Sequence, residues 1–159
     1  MLSLNPFTLI IRKATLEDAK RISYLIQKNT EANPNNYNQE QLVTWKKYNS
    51  PSRIKKQLTE REIFCAFENN KLAGTIGLLN NEIVGFYISP SKRGQGIGKK
   101  LFDFIQNQAK QKGYKTLILT STPSAVKFYE NKGFQQIKTV IVSIDDINYQ
   151  EYNMIKTLD

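Results

Sequence analysis

Apolar and polar positions follow one period in the first third of the 159-residue chain and another from residue 61 onward. "FTLIIRKA" (7–14) is a short apolar run that predicts a first strand. Thr15, with Asp18 three residues later, is a variant of the capping box and starts a helix. Ile22, Leu25 and Ile26 supply its apolar stripe at helical spacing. "ANPNNYN" (32–38) has the composition of a loop, and a second helix follows over roughly 38–48. Ser50-Pro51 starts a short third one, because proline is favoured in a first turn. The period then shortens. "REIFCAFE" (61–68), "KLAGTIGLL" (71–79) and "EIVGFYIS" (82–89) read as strands joined by Asn69-Asn70 and Asn80-Asn81. Asparagine tolerates positive φ, so both pairs suit tight hairpin turns and a three-stranded meander. Strict alternation would set Glu82, Val84, Phe86 and Ile88 on one face. A helix reaching Lys112 and stopped by Gly113 comes next, then a strand at 115–121. Pro123 opens a helix that Gly133 ends, and "FQQIKTVIVSI" with "NYQEYNMIKTL" reads as a closing hairpin. The pattern is that of one α/β (α+β) domain over 1–159, without repeats or a linker.

Composition removes several classes of chemistry. With 40% hydrophobic and 23% charged residues the chain is ordinary for a soluble protein. No apolar run approaches the roughly 18–20 residues that cross a bilayer. "MLSLNPFTLIIRKA" is broken by Asn5 and Pro6 and lacks a basic lead and a small-residue cleavage site. It therefore reads as a first strand and not as a signal peptide, and a cytoplasmic location is the default expectation. Cys65 stands alone, so neither an internal disulfide nor a cysteine zinc cluster is expected, and its apolar strand makes it a core side chain. There is no histidine. The Ser-His-Asp and Cys-His engines and the usual histidine metal sites are thereby excluded, and no metal is expected. Acid–base work is left to Glu, Asp, Tyr, Lys or water. The net charge of +9 favours an anionic partner.

Residues 93–101, "RGQGIGKKL", suggest where that charge acts. The stretch joins a strand to a helix. A helix N-terminus leaves backbone N–H groups unpaired and carries partial positive charge. Gly94, Gly96 and Gly98 let an anion approach without meeting a Cβ, and successive N–H groups of Gln95, Ile97 and their neighbours make a concave nest. Arg93, Lys99 and Lys100 add full charges. This is a cradle for a pyrophosphate, yet neither P-loop spacing nor the Gly-x-Gly-x-x-Gly fingerprint is present.

"YISPSKRGQGIGKKL", followed about thirty residues later by "AVKFYENKGF", resembles the GNAT superfamily of acyl-CoA-dependent N-acyltransferases. Arg93, Gly96 and Gly98 match the family's Gln/Arg-x-x-Gly-x-Gly/Ala motif. Ala125, Phe128, Tyr129, Gly133 and Phe134 match its second motif, and the order of elements agrees from about residue 7 to the end. The resemblance implies a mixed, mostly antiparallel sheet of about seven strands, splayed between the fourth and fifth and flanked by about four to five helices. It implies acetyl-CoA as the acyl donor, its pyrophosphate on the loop and its pantetheine arm between strands 82–89 and 115–121. Where the splayed strand stops pairing, backbone N–H groups around Phe86, Tyr87 and Ile88 are expected to polarise the thioester carbonyl. Tyr129 is the expected general acid, since a phenol of pKa about 10 can protonate a thiolate of about 8.5. Glu82, eleven residues before Arg93, has the offset of the catalytic glutamate in some members; a chain of waters and a mere hairpin residue are the alternatives. Thr122 stands where many members carry a coenzyme-binding asparagine, and a Ser/Thr-Pro variant occurs in some small bacterial members. Tyr37, Gln41 and Trp45, at i, i+4 and i+8, resemble a small bacterial branch of the family.

Tyr24, Tyr37 and Trp45 make the expected acceptor wall aromatic, which favours a small-molecule amine, while Trp45 could equally dock its helix on the sheet. Two other readings stay open. One is an acyl-CoA-binding module without turnover. The other is a nucleic-acid binder, suggested by seven Lys/Arg among residues 92–115. Phe102 and Phe104 lie there on a helix that must bury a face, a poor stacking platform, so no nucleic-acid partner is expected. No membrane partner is expected, and a homodimer stays open.

Overall fold

Asparagine turns the chain where its tolerance of positive φ predicts. In the computed structural model, which describes residues 8–159, Asn69 and Asn70 have φ of 50° and 62° and Asn80 has 53°. These turns join β2 (Glu62–Glu68), β3 (Lys71–Leu79) and β4 (Glu82–Ile88) into an antiparallel meander. β1 (Leu9–Lys13) pairs with β2; the expected start of that strand at residue 7 lies outside the described residues. Between them run α1 (Ala19–Glu31), α2 (Gln39–Tyr48) and α3 (Pro51–Glu60). α3 is the short third helix expected after Ser50-Pro51, and Ile54 and Leu58 give it an apolar side to bury. After β4 come α4 (Ile97–Gln111), β5 (Thr116–Ser121), α5 (Val126–Asn131), β6 (Gln135–Ile144) and β7 (Ile147–Thr157). A 3-10 turn at Pro123–Ala125 precedes α5, which is shorter than its sequence pattern suggests.

The seven strands form one mixed sheet in the order β1-β2-β3-β4-β5-β7-β6. Each face carries its own apolar layer. On one, Leu101, Phe102 and Ile105 of α4 pack on Phe64, Ile76, Leu117, Leu119 and Met154. On the other, Ile22 and Ile26 of α1 and Ile54 of α3 pack on Ile63, Cys65 and Phe67. Cys65 is fully buried, and burial pushes its thiol up to about 12, which makes it core and not nucleophile. Asp18 ties β1 to α1. Its carboxylate accepts hydrogen bonds from Arg12 at 2.8 and 3.0 Å and from the Thr15 backbone N–H at 2.8 Å. The Arg12 guanidinium holds that carboxyl below the usual range.

Two features open the sheet. β4 and β5 are parallel and share a single register pair, Glu82 with Ile118, beside a bond from the Ile118 N–H to the Asn81 carbonyl at 3.0 Å. Beyond it the strands diverge. The second feature is a bulge. Thr75 faces Tyr87 and Gly77 faces Val84, so β4 carries one residue more than β3 over this stretch. Gly85 takes the left-handed conformation that this requires, with φ of 58°, and its carbonyl accepts from the Thr75 hydroxyl at 2.8 Å. The extra residue breaks the expected alternation. Phe86 and Ile88 pack toward α4, whereas Val84 and Tyr87 pack toward α1 and α3. Glu82 therefore shares a face with Val84 and Tyr87, not with Phe86 and Ile88 as strict alternation implied. A lone glycine inside a strand was the sequence signal for this.

Candidate active site

The splay opens a cleft of about 920 Å³ between β4 and β5. It runs from the glycine loop to the aromatic side chains of α2.

At one end the loop before α4 forms as its composition dictates. Gly94 and Gly96 have φ of 77° and 81°, positions where a side chain is strained. A Cβ at either would meet nothing within 4 Å, so the protein itself leaves that space open. Gly98 differs. Its φ is not left-handed, and a Cβ there would make ordinary contacts with Ile88 and Phe86 at 3.6 and 3.7 Å. The first backbone bond of α4 runs from the Lys100 N–H to the Gly96 carbonyl at 3.1 Å, so the N–H groups ahead of it point out of the helix end. Arg93, Gly94, Gln95 and Lys99 are exposed and Ile97 is buried beneath them. Lys99 is paired with Asp103 at 2.8 Å and Lys92 with Glu68 at 2.7 Å, which leaves Arg93 and Lys100 as the unpaired cations of the loop among the described residues.

In the middle of the cleft the β4 backbone faces the gap. The Ser89 N–H donates to the Ala73 carbonyl of β3 at 2.8 Å. Counting back by two turns the Tyr87 amide to β3 as well, which leaves the Ile88 amide facing the gap, with Phe86 of the bulge below it. The Ile88 carbonyl, also turned outward, accepts from the Asn29 side chain of α1 at 2.9 Å. Nothing in the sequence marked Asn29 as part of this site. Thr122, at the end of β5, lines the opposite wall.

Tyr129 projects from α5 into the same space. Its ring packs at 6.4 Å from Phe86, 5.2 Å from Phe128 and 5.9 Å from Phe134. Burial alone raises its phenol well above the ordinary tyrosine value, so the group stays protonated across the neutral range.

The far side of the cleft is aromatic. Tyr37 stacks on Trp45 at 5.9 Å, and both meet Tyr149 of β7, at 5.6 and 5.8 Å. The Tyr149 hydroxyl donates to the Gln41 carbonyl at 2.8 Å, and the Gln41 side chain donates to the Asn148 carbonyl at 2.8 Å. Gln41 thus docks α2 on the sheet, while Tyr37 and Trp45 on the same face line the cleft. Tyr24 is not brought there. It is 64% exposed on the outer side of α1, beside Lys28. Glu82 lies at the closed foot of the cleft, where burial raises its carboxyl and Arg61 partly offsets the rise. Arg61 itself has a buried Nε without a hydrogen-bond partner. A residue that the motifs missed, Glu151 of β7, also lines the cleft. It is 8% exposed, and burial pushes its carboxyl up to about 7. Among the described residues no cluster of His, Cys, Asp and Glu is arranged for a metal, and no helix is long and apolar enough to cross a membrane.

The comparisons agree with this architecture. The family model for the acetyltransferase (GNAT) domain matches residues 33–156. A GCN5-related N-acetyltransferase from Rhodopseudomonas palustris superposes with a TM-score of 0.88 at 21% identity, over 95% of this chain and 96% of its own. PaiA N-acetyltransferase from Thermoplasma acidophilum, solved with coenzyme A, gives 0.76 at 20% identity, over 95% and 99%. An aminoglycoside 6'-N-acetyltransferase complexed with coenzyme A gives 0.66 at 16%, over 93% and 96%. No curated protein sequence matches the chain. Glycine loop, splayed strands and tyrosine helix fall in one order within one sheet: the chain belongs to the GNAT acetyltransferase family.

Proposed function

We propose that this protein transfers an acetyl group from acetyl-CoA to the primary amine of a small molecule, directly and with Tyr129 as general acid. The observation that carries the proposal is the placement of a protonated Tyr129 hydroxyl in the same cleft as the gap-facing amides and the glycine loop. The residues present fit the donor. The open space over Gly94 and Gly96, the α4 N-terminus and the cations Arg93 and Lys100 suit a pyrophosphate, as do the amides of Gln95, Ile97, Gly98 and Lys99. Thr122 offers a hydroxyl to the pantetheine arm. The complexes of the two relatives with coenzyme A support the same reading.

The chemistry follows from what each group can do. The amides of Phe86 and Ile88 donate to the carbonyl oxygen of the thioester as it gains negative charge. Tyr129 gives its proton to the departing sulfur, whose thiolate has an ordinary pKa of about 8.5. The amine arrives from the aromatic side, past Tyr37 and Trp45. Glu82, at the foot of the cleft, reaches that amine only through water. The wall has few acids, which favours an acceptor with an apolar or aromatic portion beside its amine over a polyamine.

A panel of primary amines incubated with acetyl-CoA, read by free thiol release, tests the proposal. Turnover on small aralkyl amines is expected. Tight acetyl-CoA binding without acetylation of any amine would replace it with a non-catalytic acyl-CoA-binding role.

A further inference from the structure

The register of the sheet separates the two carboxylates of the cleft. From the single parallel pair, Glu82 with Ile118, four further residues lead along β5 to Thr122, which the extra residue of β4 sets level with Tyr87 across the gap. Ser121 of β5 pairs with Tyr152 of β7, so the next residue of β7, Glu151, stands level with Thr122, just past the end of β5. β5 ends at Ser121, so at this height only Thr122, where the chain leaves the sheet, stands between Glu151 and β4. Glu82 lies about 13 Å lower, at roughly 3.3 Å per strand residue. Glu151 is thus at the height of the gap-facing amides, and Glu82 is not. Glu151, Tyr87 and Tyr129 all line this cleft.

We propose that Glu151 is the base that takes the proton from the acceptor's ammonium group. The inference rests on the acetyltransferase reading given above and names the residue that completes it. Glu151 has no hydrogen-bond or ion-pair partner among the described residues, burial being the sole influence on its carboxyl. The ionisable groups that its charge reaches are Tyr37 ahead of α2, Tyr87 on β4 and Tyr149 on its own strand, while Tyr129 on α5 and Arg61 at the end of α3 line the same cleft. Glu40 of α2 and Asp145 of the β6–β7 turn act on Tyr149. On β6 its partner is the uncharged Val140. A buried carboxylate left unpaired is costly, and an entering ammonium removes that cost. Proton transfer then leaves a neutral acid and a neutral amine, both suited to an aromatic pocket. A carboxyl poised at about 7 is matched to that exchange at neutral pH.

The balance is complete. One of the three ammonium protons passes to Glu151 and leaves to water. The nitrogen lone pair forms the C–N bond as the C–S bond breaks, and Tyr129 protonates the sulfur. A second nitrogen proton then leaves and, in sum, replaces the one that Tyr129 gave. The third stays on the amide.

Two measurements on the full chain test this. With acetyl-CoA and 2-phenylethylamine, or whichever amine the panel selects, Glu151→Gln should lower kcat/KM by about 10²–10⁴. It should also abolish the acidic limb of the pH profile, and Glu151→Asp should restore part of both. Retention of that limb in Glu151→Gln, or its loss in Glu82→Gln instead, would overturn the assignment while leaving the acetyltransferase reading intact. Independently of any acceptor, carboxyl ¹³C NMR of glutamate-labelled protein should show one resonance that titrates near 7 and is missing in Glu151→Gln. Titration of that resonance at the ordinary value of about 4.3 would also overturn it. Absence of turnover on every amine, with acetyl-CoA bound, would bring down both readings together.

Discussion

Replacing Tyr129 by phenylalanine removes one oxygen and keeps the ring. That ring holds its place through Phe86, Phe128 and Phe134, and the hydroxyl has no protein hydrogen bond among the described residues to lose. Unfolding free energy in urea should therefore change by no more than about 0.5 kcal/mol. Acetyl-CoA affinity, measured by calorimetry, should be unchanged, because the cradle lies on a different element. Turnover is another matter. Without its donor the sulfur departs as a thiolate, and the loss of a positioned acid lowers kcat by about 10²–10⁴. That is about 2.7–5.4 kcal/mol at 1.36 kcal/mol per decade. Burial holds the wild-type phenol protonated throughout the neutral range, so the ratio of wild-type to variant rates should not vary with pH there. The assay is thiol release at saturating acetyl-CoA and amine. A kcat within about threefold of wild type, under 1 kcal/mol by the same conversion, would refute the reasoning and leave water as the acid. A fall in acetyl-CoA affinity that matched the fall in turnover would make Tyr129 a binding residue instead.

Gly96→Val should abolish acetyl-CoA binding in calorimetry. A Cβ there meets no protein atom within 4 Å, but the residue must hold a left-handed φ of 81°, so the fold should lose only about 1–2 kcal/mol. Trp45→Ala should raise the KM for the amine more than it lowers kcat, since a remote apolar contact binds substrate and transition state alike. Asp18→Asn should cost about 1–2 kcal/mol at neutral pH, because the carboxylate is buried but its Arg12 partner is half-exposed. The folded carboxyl is held low, so this contribution is complete above the ordinary aspartate value and disappears as pH falls through the folded one. Urea unfolding of wild type and variant should therefore converge in acid.

The parts of this protein that were legible in its sequence are those whose cause is local. Asn69-Asn70 and Asn80-Asn81 turn the chain through their own backbone preference, and the glycine loop shows its open face without knowledge of its neighbours. Other positions depend on distant partners. The bulge reverses the facing of Tyr87 because β3 is one residue shorter across from it, and Gly85 was the only hint. Tyr24 was assigned to the cleft from its aromatic character. Two residues at 100° each carry it about 200° round the helix from the buried Ile22, and so out to solvent. Asn29 and Glu151 are ordinary polar residues by pattern. Their importance comes from an outward-turned carbonyl at Ile88 and from the end of β5 at Ser121, and both need the register of the sheet to be seen.

The single bridge between Glu82 and Ile118 also decides how the molecule holds together as a cooperative unit. By backbone hydrogen bonding there are two ladders, a four-stranded one from β1 to β4 and a three-stranded one of β5, β7 and β6, joined by one pair. A ladder so nearly severed transmits little of its own rigidity. What couples the halves is α4, whose Leu101, Phe102 and Ile105 lie in one apolar cluster with Phe64 and Ile76 of the first ladder and Leu117 and Met154 of the second. Cooperativity here is carried by side chains on a helix and not by the sheet. The same helix begins at the glycine loop, so the element proposed to hold the pyrophosphate is also the one that makes two half-sheets unfold as one.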